Sequence, residues 1–274
     1  MAIKLTDNEI GYTYWLPSPS GDNTKHITNV NSIIIIGANG SGKSKLGAHI
    51  ETSSLSKVHR IAAQRSLNFS EHIPYKSFAE AEDGIFYGGH EDYHKRNKLG
   101  RWGNKEHTTK LINDFDDTLA ALIAQQNNVN QEFVEAYRKA EETGSSKPSA
   151  PESFLEKLYG VWNAVFPQRE LKMLDSAFLA SVPGSDEWYS ATEMSDGERS
   201  VLYLAAQVLC IPKGKTIIVD EPETHLHPSL MSRLWEALES ERKDCLFIYI
   251  THDVDFAAQH ELSDIIWIKS FNGK

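Results

Sequence analysis

The fold is decided by the stretch Ser32-Ile-Ile-Ile-Ile-Gly-Ala-Asn-Gly-Ser-Gly-Lys-Ser44. Its four isoleucines form an apolar run that is too short for a helix and β-branched throughout, which predicts a strand buried on both faces. The glycines that follow end this strand, and we expect a helix to begin at Lys43. A strand, a glycine-rich turn and a helix therefore follow one another directly.

The turn itself, Gly37 to Ser44, fits the pattern G-x-x-x-x-G-K-[ST] and lies where that pattern must lie, between a buried strand and a helix. Backbone N–H groups of such a turn and the positive end of the helix together form a concave site for a triphosphate. We expect Lys43 to bring its charge to the β- and γ-phosphates, and the Ser44 hydroxyl to bind Mg²⁺. The predicted nucleotide-contacting residues are Gly37, Asn39, Gly40, Ser41, Gly42, Lys43 and Ser44.

A second apolar strand, Thr216-Ile-Ile-Val-Asp-Glu221, ends in two carboxylates. Parallel sheets bind their ligands at the edge where the strands end. Asp220 is predicted to hold Mg²⁺ through water, and Glu221 is predicted to polarise the attacking water. Adjacent carboxylates at the end of an apolar strand are costly without a cation, which favours a bound Mg²⁺. Together with the phosphate loop, the pair therefore indicates ATP as ligand and Mg²⁺ as cofactor. The alternative is that Asp220 only caps a turn before Pro222.

The chain divides into three parts by hydrophobic periodicity. Residues 1–67 and 191–274 contain short apolar strands alternating with helices, which predicts an α/β fold with a mostly parallel central sheet. Residues 68–190 are predicted to form a mainly helical insertion, with helical spacing from Leu111 to Ile123 and again from Phe154 to Val165. The polar residues 125–131 either extend or interrupt the first of these helices.

The composition excludes several classes of protein. The 274 residues include 38 acidic and 28 basic side chains, so the net charge of −10 does not favour bulk attraction to nucleic acid or anionic membrane. Two cysteines provide neither a disulfide framework nor metal-ligand spacing. No run approaches the length of a membrane span, and the first residues lack a signal peptide. We expect a cytoplasmic protein with no membrane partner.

Three further motifs resemble those of ABC-type ATPases. Met194-Ser-Asp-Gly-Glu-Arg199 resembles their signature motif and precedes the strand ending at Asp220 by one helix. His252, after the strand Cys245–Ile250, resembles their switch histidine, and Glu223–Pro228 occupies the position of their D-loop. The motifs are more similar to those of the soluble SMC, RecF and OLD groups than to those of transporter subunits.

This resemblance implies an ATPase whose site is shared by two copies of the chain. In such ATPases the subunits pack head to tail, and ATP lies between the phosphate loop of one and the signature motif of the other. A homodimer or a higher oligomer is therefore expected. The signature residues that the resemblance places at the γ-phosphate of the second copy are Ser195, Gly197 and Glu198.

The resemblance also implies roles for three residues near the hydrolytic water. His252 would hydrogen-bond the γ-phosphate and act with Glu221 as a catalytic residue. Gln64, which follows the short strand near Val58 to Ala62, is the candidate for the glutamine that senses Mg²⁺. It lies closer to Lys43 in sequence than the corresponding residue of transporters.

A narrower resemblance concerns the biological role. The segments Arg65–Phe69 and Tyr87–Gly103 are similar to parts of compact ATPases of bacterial anti-phage systems, such as the PARIS-type ATPase subunit and the ATPase halves of toprim-nuclease fusions. This resemblance implies that ATP drives assembly of a scaffold that holds and releases a protein effector, a nuclease or a toxin.

Two other functions stay open: an ATPase that binds DNA directly, and a transporter subunit. The segment His90–Lys110 carries six Lys or Arg side chains against three acids, with Tyr93 and Trp102 among them. It is either a nucleic-acid contact, as in a DNA-repair or chromosome-maintenance ATPase that binds DNA itself, or a solvated loop with a core tryptophan. A transporter subunit is a third class, which requires a membrane partner.

Two smaller patterns are interpreted as structural or left open. Asp253-Val-Asp255 matches the D-x-D of a toprim metal site, but its position after His252 indicates a helix cap at Asp253, so no nuclease is predicted. An aromatic residue that stacks on the nucleotide base has three candidates, Tyr12, Tyr14 and Trp15, each of which is equally suited to the core.

Overall fold

The computed structural model describes residues 2–6, 9–18, 22–96, 98–103, 107–260 and 263–271. The strands are β1 (Ala2–Thr6), β2 (Glu9–Pro17), β3 (Asn23–Thr28), β4 (Ser32–Ile36), β5 (Val58–Ile61), β6 (Glu170–Leu174), β7 (Ala177–Ser181), β8 (Tyr189–Ser190), β9 (Thr216–Asp220), β10 (Leu246–Thr251) and β11 (Asp264–Trp267). The helices are α1 (Lys43–Ser53), α2 (Phe78–Tyr87), α3 (Asp92–Arg96), α4 (Phe115–Thr143), α5 (Phe154–Val165), α6 (Asp196–Cys210), α7 (Pro228–Glu241) and α8 (Val254–Gln259), and short 3₁₀ turns lie at Lys98–Trp102 and Ala191–Glu193.

Five parallel strands form the central sheet. Their order is β11-β4-β10-β9-β5, and every neighbouring pair is parallel. The predicted α/β class and the mostly parallel sheet are therefore confirmed. Because all five strands run the same way, the residues that follow β4, β5, β9 and β10 meet at one edge of the sheet, where such sheets bind ligands.

The sheet is covered on both faces, which explains the isoleucine run. Ile34 and Ile36 pack in the core that includes α5, α6 and α7. Ile33 and Ile35 pack on the opposite face, in the core that includes Leu46 of α1 and residues of β2. Alternate residues of β4 thus enter two cores, one on each face of the sheet, which is why all four isoleucines are buried.

The segment between β5 and α6 contains helices and a small antiparallel sheet. α4 has 29 residues, so the polar stretch 125–131 extends this helix rather than interrupting it. The helix begins at Phe115, later than the predicted periodicity, because Ile112 pairs instead with Arg65 in an isolated bridge. The antiparallel sheet β6-β7-β8 was not predicted. The domain boundaries at residues 67/68 and 190/191 stay a prediction.

The N-terminal part adds a second antiparallel sheet, β1-β2-β3, which was not predicted either. Tyr12 and Tyr14 of β2 are buried in the core beneath α1, and the Tyr12 hydroxyl donates to the carbonyl oxygen of Lys243 over 2.6 Å. These two aromatic side chains are therefore core residues. Within the described ranges, no helix is long and apolar enough to cross a membrane.

Candidate nucleotide site

The phosphate loop joins the end of β4 to the start of α1. Gly40 and Gly42 have φ values of +79° and +90°, a backbone conformation that favours glycine. No side chain caps the first turn of α1, so its N–H groups stay available to an anion. Lys43 is buried, and its Nζ donates to the carbonyl oxygens of Gly37 and Ala38 over 2.8 and 3.0 Å. The predicted contact residues Gly37, Asn39, Gly40, Ser41, Gly42, Lys43 and Ser44 all lie in this loop or at the start of α1.

The other predicted residues follow neighbouring strands at the same edge. Asp220 ends β9, Glu221 comes next, His252 follows β10 and Gln64 lies shortly after β5. Glu221 has a φ of +50°, and its N–H donates to the carbonyl oxygen of Ile250 over 2.8 Å. Such a backbone conformation costs about 1–3 kcal/mol in a residue other than glycine and is concentrated at functional sites.

Asp220 is buried and paired with an arginine that sequence reasoning did not single out. Its Oδ2 accepts a hydrogen bond from Arg60 Nη1 over 2.7 Å, and both side chains are almost wholly buried. Its Oδ1 has no hydrogen-bond partner among the described residues. Burial raises the pKa of Asp220, and the neighbouring guanidinium opposes that rise. A buried carboxylate oxygen without a partner is the kind of ligand that a hydrated Mg²⁺ takes.

Gln64 and Glu221 line one cavity of about 450 Å³, together with Arg65, Thr224 and His225. Arg65 is buried, and its Nη2 donates to the carbonyl oxygen of Thr224 over 3.1 Å. The Thr224 hydroxyl lies 3.3 Å from Glu221 Oε2. The cavity thus brings the predicted magnesium-sensing and water-polarising residues together beside the D-loop.

Glu223, in the predicted D-loop, lies beside the predicted switch histidine, His252. Its Oε1 accepts from the Thr251 hydroxyl over 2.7 Å and lies 3.5 Å from Nδ1 of His252. Its Oε2 has no hydrogen-bond partner in the described part of the chain, and burial raises the pKa of the carboxyl. Both Glu221 and Glu223 oppose the lowering of the Lys43 pKa by burial, so these charges lie near one another. His252 itself is exposed.

The signature residues form the start of α6. Ser195 is the N-cap, and its hydroxyl accepts from the N–H of Glu198 over 3.3 Å while it lies 2.7 Å from Glu198 Oε2. Glu198 also accepts from the N–H of Ser195 over 3.0 Å, which completes a capping box. A Cβ at Gly197 would lie 3.6 Å from the carbonyl oxygen of His225, so this turn adjoins the D-loop of its own chain.

The segment after β11 lies against the phosphate loop. The N–H of Phe271 donates to the carbonyl oxygen of Ser41 over 2.7 Å, and a Cβ at position 42 would lie 1.9 Å from the Phe271 carbonyl oxygen. The Phe271 ring also contacts the ring of His49 edge-on, with centroids 5.6 Å apart. Only glycine fits at position 42, for steric reasons as well as for its φ. Nothing in the sequence pattern indicates this contact.

Trp15 lies at the opposite end of α1 from the phosphate loop, where it lines a cavity with Ile50 and Ser53. It is therefore not placed to stack on a nucleotide base bound at the loop. Asp253 caps α8 and accepts from the N–H groups of Asp255 and Phe256, which confirms its predicted role as a helix cap.

The basic segment His90–Lys110 buries two of its described cations, Lys98 and Arg101. Trp102 is buried, as the solvated-loop alternative requires of its tryptophan. Four of the six cations have described side-chain contacts, all within the chain: Lys95 with Asp83, Lys98 with Glu51, Arg101 with Asp114, and Lys110 with the carbonyl oxygen of Arg101. The buried Lys98 and Arg101 are not free to contact phosphates of a nucleic acid, whereas Lys95 is exposed.

The parallel sheet, the glycine-rich loop and the acids at the end of β9 define a P-loop NTPase fold. The family of AAA domains described as "putative AbiEii toxin, Type IV TA system" matches residues 51–257, and the chain belongs to this family. No curated protein matches the chain.

Solved structures with a similar fold have low sequence identity. The chain is similar to the Smc head domain with an extended coiled coil bound to the C-terminal domain of ScpA, derived from Pyrococcus furiosus, at 14% identity over 96% of this chain and 94% of that chain, with a TM-score of 0.48. The SMC head domain from Thermotoga maritima is 16% identical over 96% and 95% of the two chains, with a TM-score of 0.44. A nucleotide-free ATP-binding cassette from an ABC transporter is 17% identical over 97% and 88%, with a TM-score of 0.40. These likenesses concern the fold alone.

Proposed function

We propose that the chain binds ATP with Mg²⁺ and hydrolyses it. One observation carries this proposal: the phosphate loop, Asp220, Glu221 and His252 all follow neighbouring strands at a single edge of the parallel sheet. The buried Oδ1 of Asp220, without a partner among the described residues, supports a metal site at that edge.

The binding residues divide the triphosphate between them. The N–H groups of the phosphate loop and the start of α1 bind the phosphate oxygens, and Lys43 moves from the loop carbonyls to the β- and γ-phosphates. Ser44 and Asp220 would hold Mg²⁺, the first through its hydroxyl and the second through water. Bound Mg²⁺ offsets the charge that develops on the phosphates during transfer.

Hydrolysis is assigned to the residues around the 450 Å³ cavity. Glu221 accepts a proton from the attacking water as it polarises it, and Gln64 in the same cavity orients the water and senses the metal. His252 donates a hydrogen bond to the γ-phosphate. Glu223 orients the imidazole of His252, because its Oε1 lies 3.5 Å from the Nδ1 atom of that ring.

A second copy of the chain would complete the site with the start of its α6. The N–H groups of this turn, including that of Gly197, and the Ser195 hydroxyl are suited to an anion. In the single chain the Ser195 hydroxyl is engaged by Glu198, so binding to a γ-phosphate would exchange one acceptor for another. ATP held between two copies favours the dimer, and its hydrolysis removes that preference.

Two substitutions test the chemistry. Lys43→Ala should lose ATP binding, while Lys45→Ala, at an exposed position on the same helix, should keep it. Glu221→Gln should bind ATP normally, lower the hydrolysis rate by about 10²–10⁴-fold and accumulate a dimer in ATP. Equal phosphate release by the wild type and Glu221→Gln would refute the role of Glu221.

The contact in trans has its own test. Ser195→Arg should leave nucleotide binding by the monomer intact but prevent the ATP-dependent dimer, measured by light scattering in the Glu221→Gln background. Ser145→Arg, at an exposed loop position, is the matched control. An unchanged dimer with Ser195→Arg would exclude the signature motif from the interface.

The biological part of the proposal is that the dimer, or a higher oligomer, holds and releases a separate protein effector in anti-phage defence. The family description, an AAA domain and putative AbiEii toxin of a Type IV TA system, supports a role in a toxin system. The separate effector is what the resemblance to the compact anti-phage ATPases implies. The test is co-purification of Glu221→Gln with the protein encoded beside it, in ATP and in ADP, followed by phage challenge of cells that carry both. A permease at that position would refute the proposal, and hydrolysis stimulated by DNA would favour direct DNA binding instead.

A further inference from the structure

Arg60 is a cation in β5, a strand whose four residues are all buried. It lies opposite Ile218 of β9, and Asp220 is two residues further along β9. Side chains two residues apart point to the same face, so Arg60 and Asp220 share the face covered by α1. Gly47 of α1 makes room for them: a Cβ there would lie 3.2 Å from Asp220 Oδ1 and 3.4 Å from Arg60 Cδ.

Every arm of the Arg60 guanidinium has an acceptor. Nη1 donates to Asp220 Oδ2 over 2.7 Å, Nε donates to Glu51 Oε2 over 3.1 Å, and Nη2 donates to the carbonyl oxygen of His107. The plane of the guanidinium stacks on the Trp102 ring at 3.9 Å from its centre. A planar cation fixed in three directions holds its partners in fixed positions as well.

Lys98 balances the charge of this group. Its Nζ lies 3.4 Å from Glu51 Oε1, and its side chain is 1% exposed. Glu51, Arg60, Lys98 and Asp220 therefore form a buried charge network with two acids and two cations. Because Lys98 reaches Glu51 but not Asp220 in the contacts of the described residues, it shares the network without touching the metal site.

We propose that Arg60 is a positioning residue for the metal site: by holding Asp220 Oδ2, it keeps Oδ1 directed to the hydrated Mg²⁺ of bound ATP. This inference rests on the proposed function. The Trp102 ring and the His107 carbonyl support Arg60 from the other side, so the middle part of the chain determines the orientation of a residue in the nucleotide site. The carboxylate is thus oriented before the nucleotide arrives.

The test compares Arg60→Lys with Lys98→Met. Lysine keeps the charge of Arg60 but cannot donate along three fixed directions, whereas Lys98→Met disturbs the same network away from Asp220. Binding of a fluorescent ATP analogue is titrated with Mg²⁺, and again in EDTA. We expect Arg60→Lys to raise the Mg²⁺ concentration for half-maximal binding about tenfold or more, with unchanged binding in EDTA. Lys98→Met should match the wild type in both titrations.

Asp220→Asn provides the reference for the metal site. If Arg60 acts through Asp220, the double variant Arg60→Lys/Asp220→Asn should need no more Mg²⁺ than Asp220→Asn alone. A Mg²⁺ requirement for Arg60→Lys within twofold of the wild type, an equal shift in Lys98→Met, or additive effects in the double variant would each overturn the role of Arg60. A wild-type chain that binds no nucleotide at any Mg²⁺ concentration would instead overturn the proposed function, and this inference with it.

Discussion

Replacing Lys98 with methionine tests how strongly burial lowers the pKa of this lysine in the buried charge network. Besides Glu51, the Lys98 ammonium contacts the carbonyl oxygen of Leu55 over 3.2 Å and lies 3.7 Å from the centre of the Phe86 ring. Burial lowers the pKa of Lys98 from 10.5 to about 8, against the raising effect of Glu51. The folded chain therefore holds an ammonium group that its surroundings solvate poorly.

The magnitude follows from this pKa. A lysine whose pKa is lower in the folded chain loses its proton first in the folded state, so the unfolded state binds more protons between pH 8 and 10.5. The free energy of unfolding then rises with pH in that window. The full lowering of the Lys98 pKa corresponds to about 3 kcal/mol in the free energy of unfolding. Of this, a rise of about 2 kcal/mol is expected between roughly pH 7 and pH 9.5. Below the window Lys98 is protonated in both states and contributes no slope.

The assay is urea unfolding of the wild type, Lys98→Met and Lys139→Met at the two ends of this range. Lys139 is exposed on α4 and serves as the matched control. Burial raises the pKa of Cys245 to about 11, which makes stability fall at high pH in all three chains and cancels in their differences. We expect the wild type to gain about 2 kcal/mol relative to Lys98→Met, and nothing relative to Lys139→Met. A difference from Lys98→Met that is the same at both pH values would refute the reasoning.

Further predictions concern the core, the switch histidine and acid stability. Leu158→Ala, at a fully buried position of α5, should lower the free energy of unfolding by about 2–5 kcal/mol, while Leu174→Ala, at a position 53% exposed, should change it by less than about 0.5 kcal/mol in urea titrations. Glu223→Gln should lower kcat for ATP hydrolysis more than it raises KM, because it releases His252 without touching the phosphate loop; an effect on KM alone would contradict this. Burial raises the pKa of Asp244, but hydrogen bonds from Arg242 and the Gly214 N–H bring it well below its ordinary value, so the stability it contributes should be lost as pH falls below about 4. Asp244→Asn should be less stable near neutral pH and flatter below pH 4, and an acid unfolding curve parallel to that of the wild type would count against it.

The parts of the fold that sequence predicts are those with a single strong signal. The strands β4, β9 and β10 are continuous apolar runs, and the glycine-rich loop and Pro228 mark the starts of α1 and α7. The sheet β6-β7-β8 escaped prediction because its hairpin turns at Asp175 and Ser176, both with positive φ, without the glycine that usually signals such a turn. The sheet β1-β2-β3 escaped it because β2 and β3 mix polar and apolar residues with little regular pattern.

The candidate site can be predicted from sequence only where a motif fixes the spacing of its residues. Loop glycines, the lysine and the strand-end acids keep fixed spacings, because each spacing places a group at one edge of the sheet. Arg60 keeps no such spacing: within Val58–Ile61 it is one cation in a short strand, and only the fold shows that Asp220 lies beside it. In the segment His90–Lys110 the sequence suggests a surface charge where the fold has a buried one, because a count of charges cannot distinguish Lys98 in the core from a lysine in solvent.

The network also changes how the acids at the end of β9 are to be understood. Two carboxylates there need a cation, and the sequence alone pointed to Mg²⁺; the fold supplies a cation of its own, since Arg60 compensates Asp220. The pairing leaves Asp220 with one oxygen for a metal hydrate and little uncompensated charge to attract a free ion. Mg²⁺ is accordingly expected to enter with the triphosphate, whose own negative charge holds it, and Asp220 then selects the orientation of the metal rather than supplying most of its binding energy.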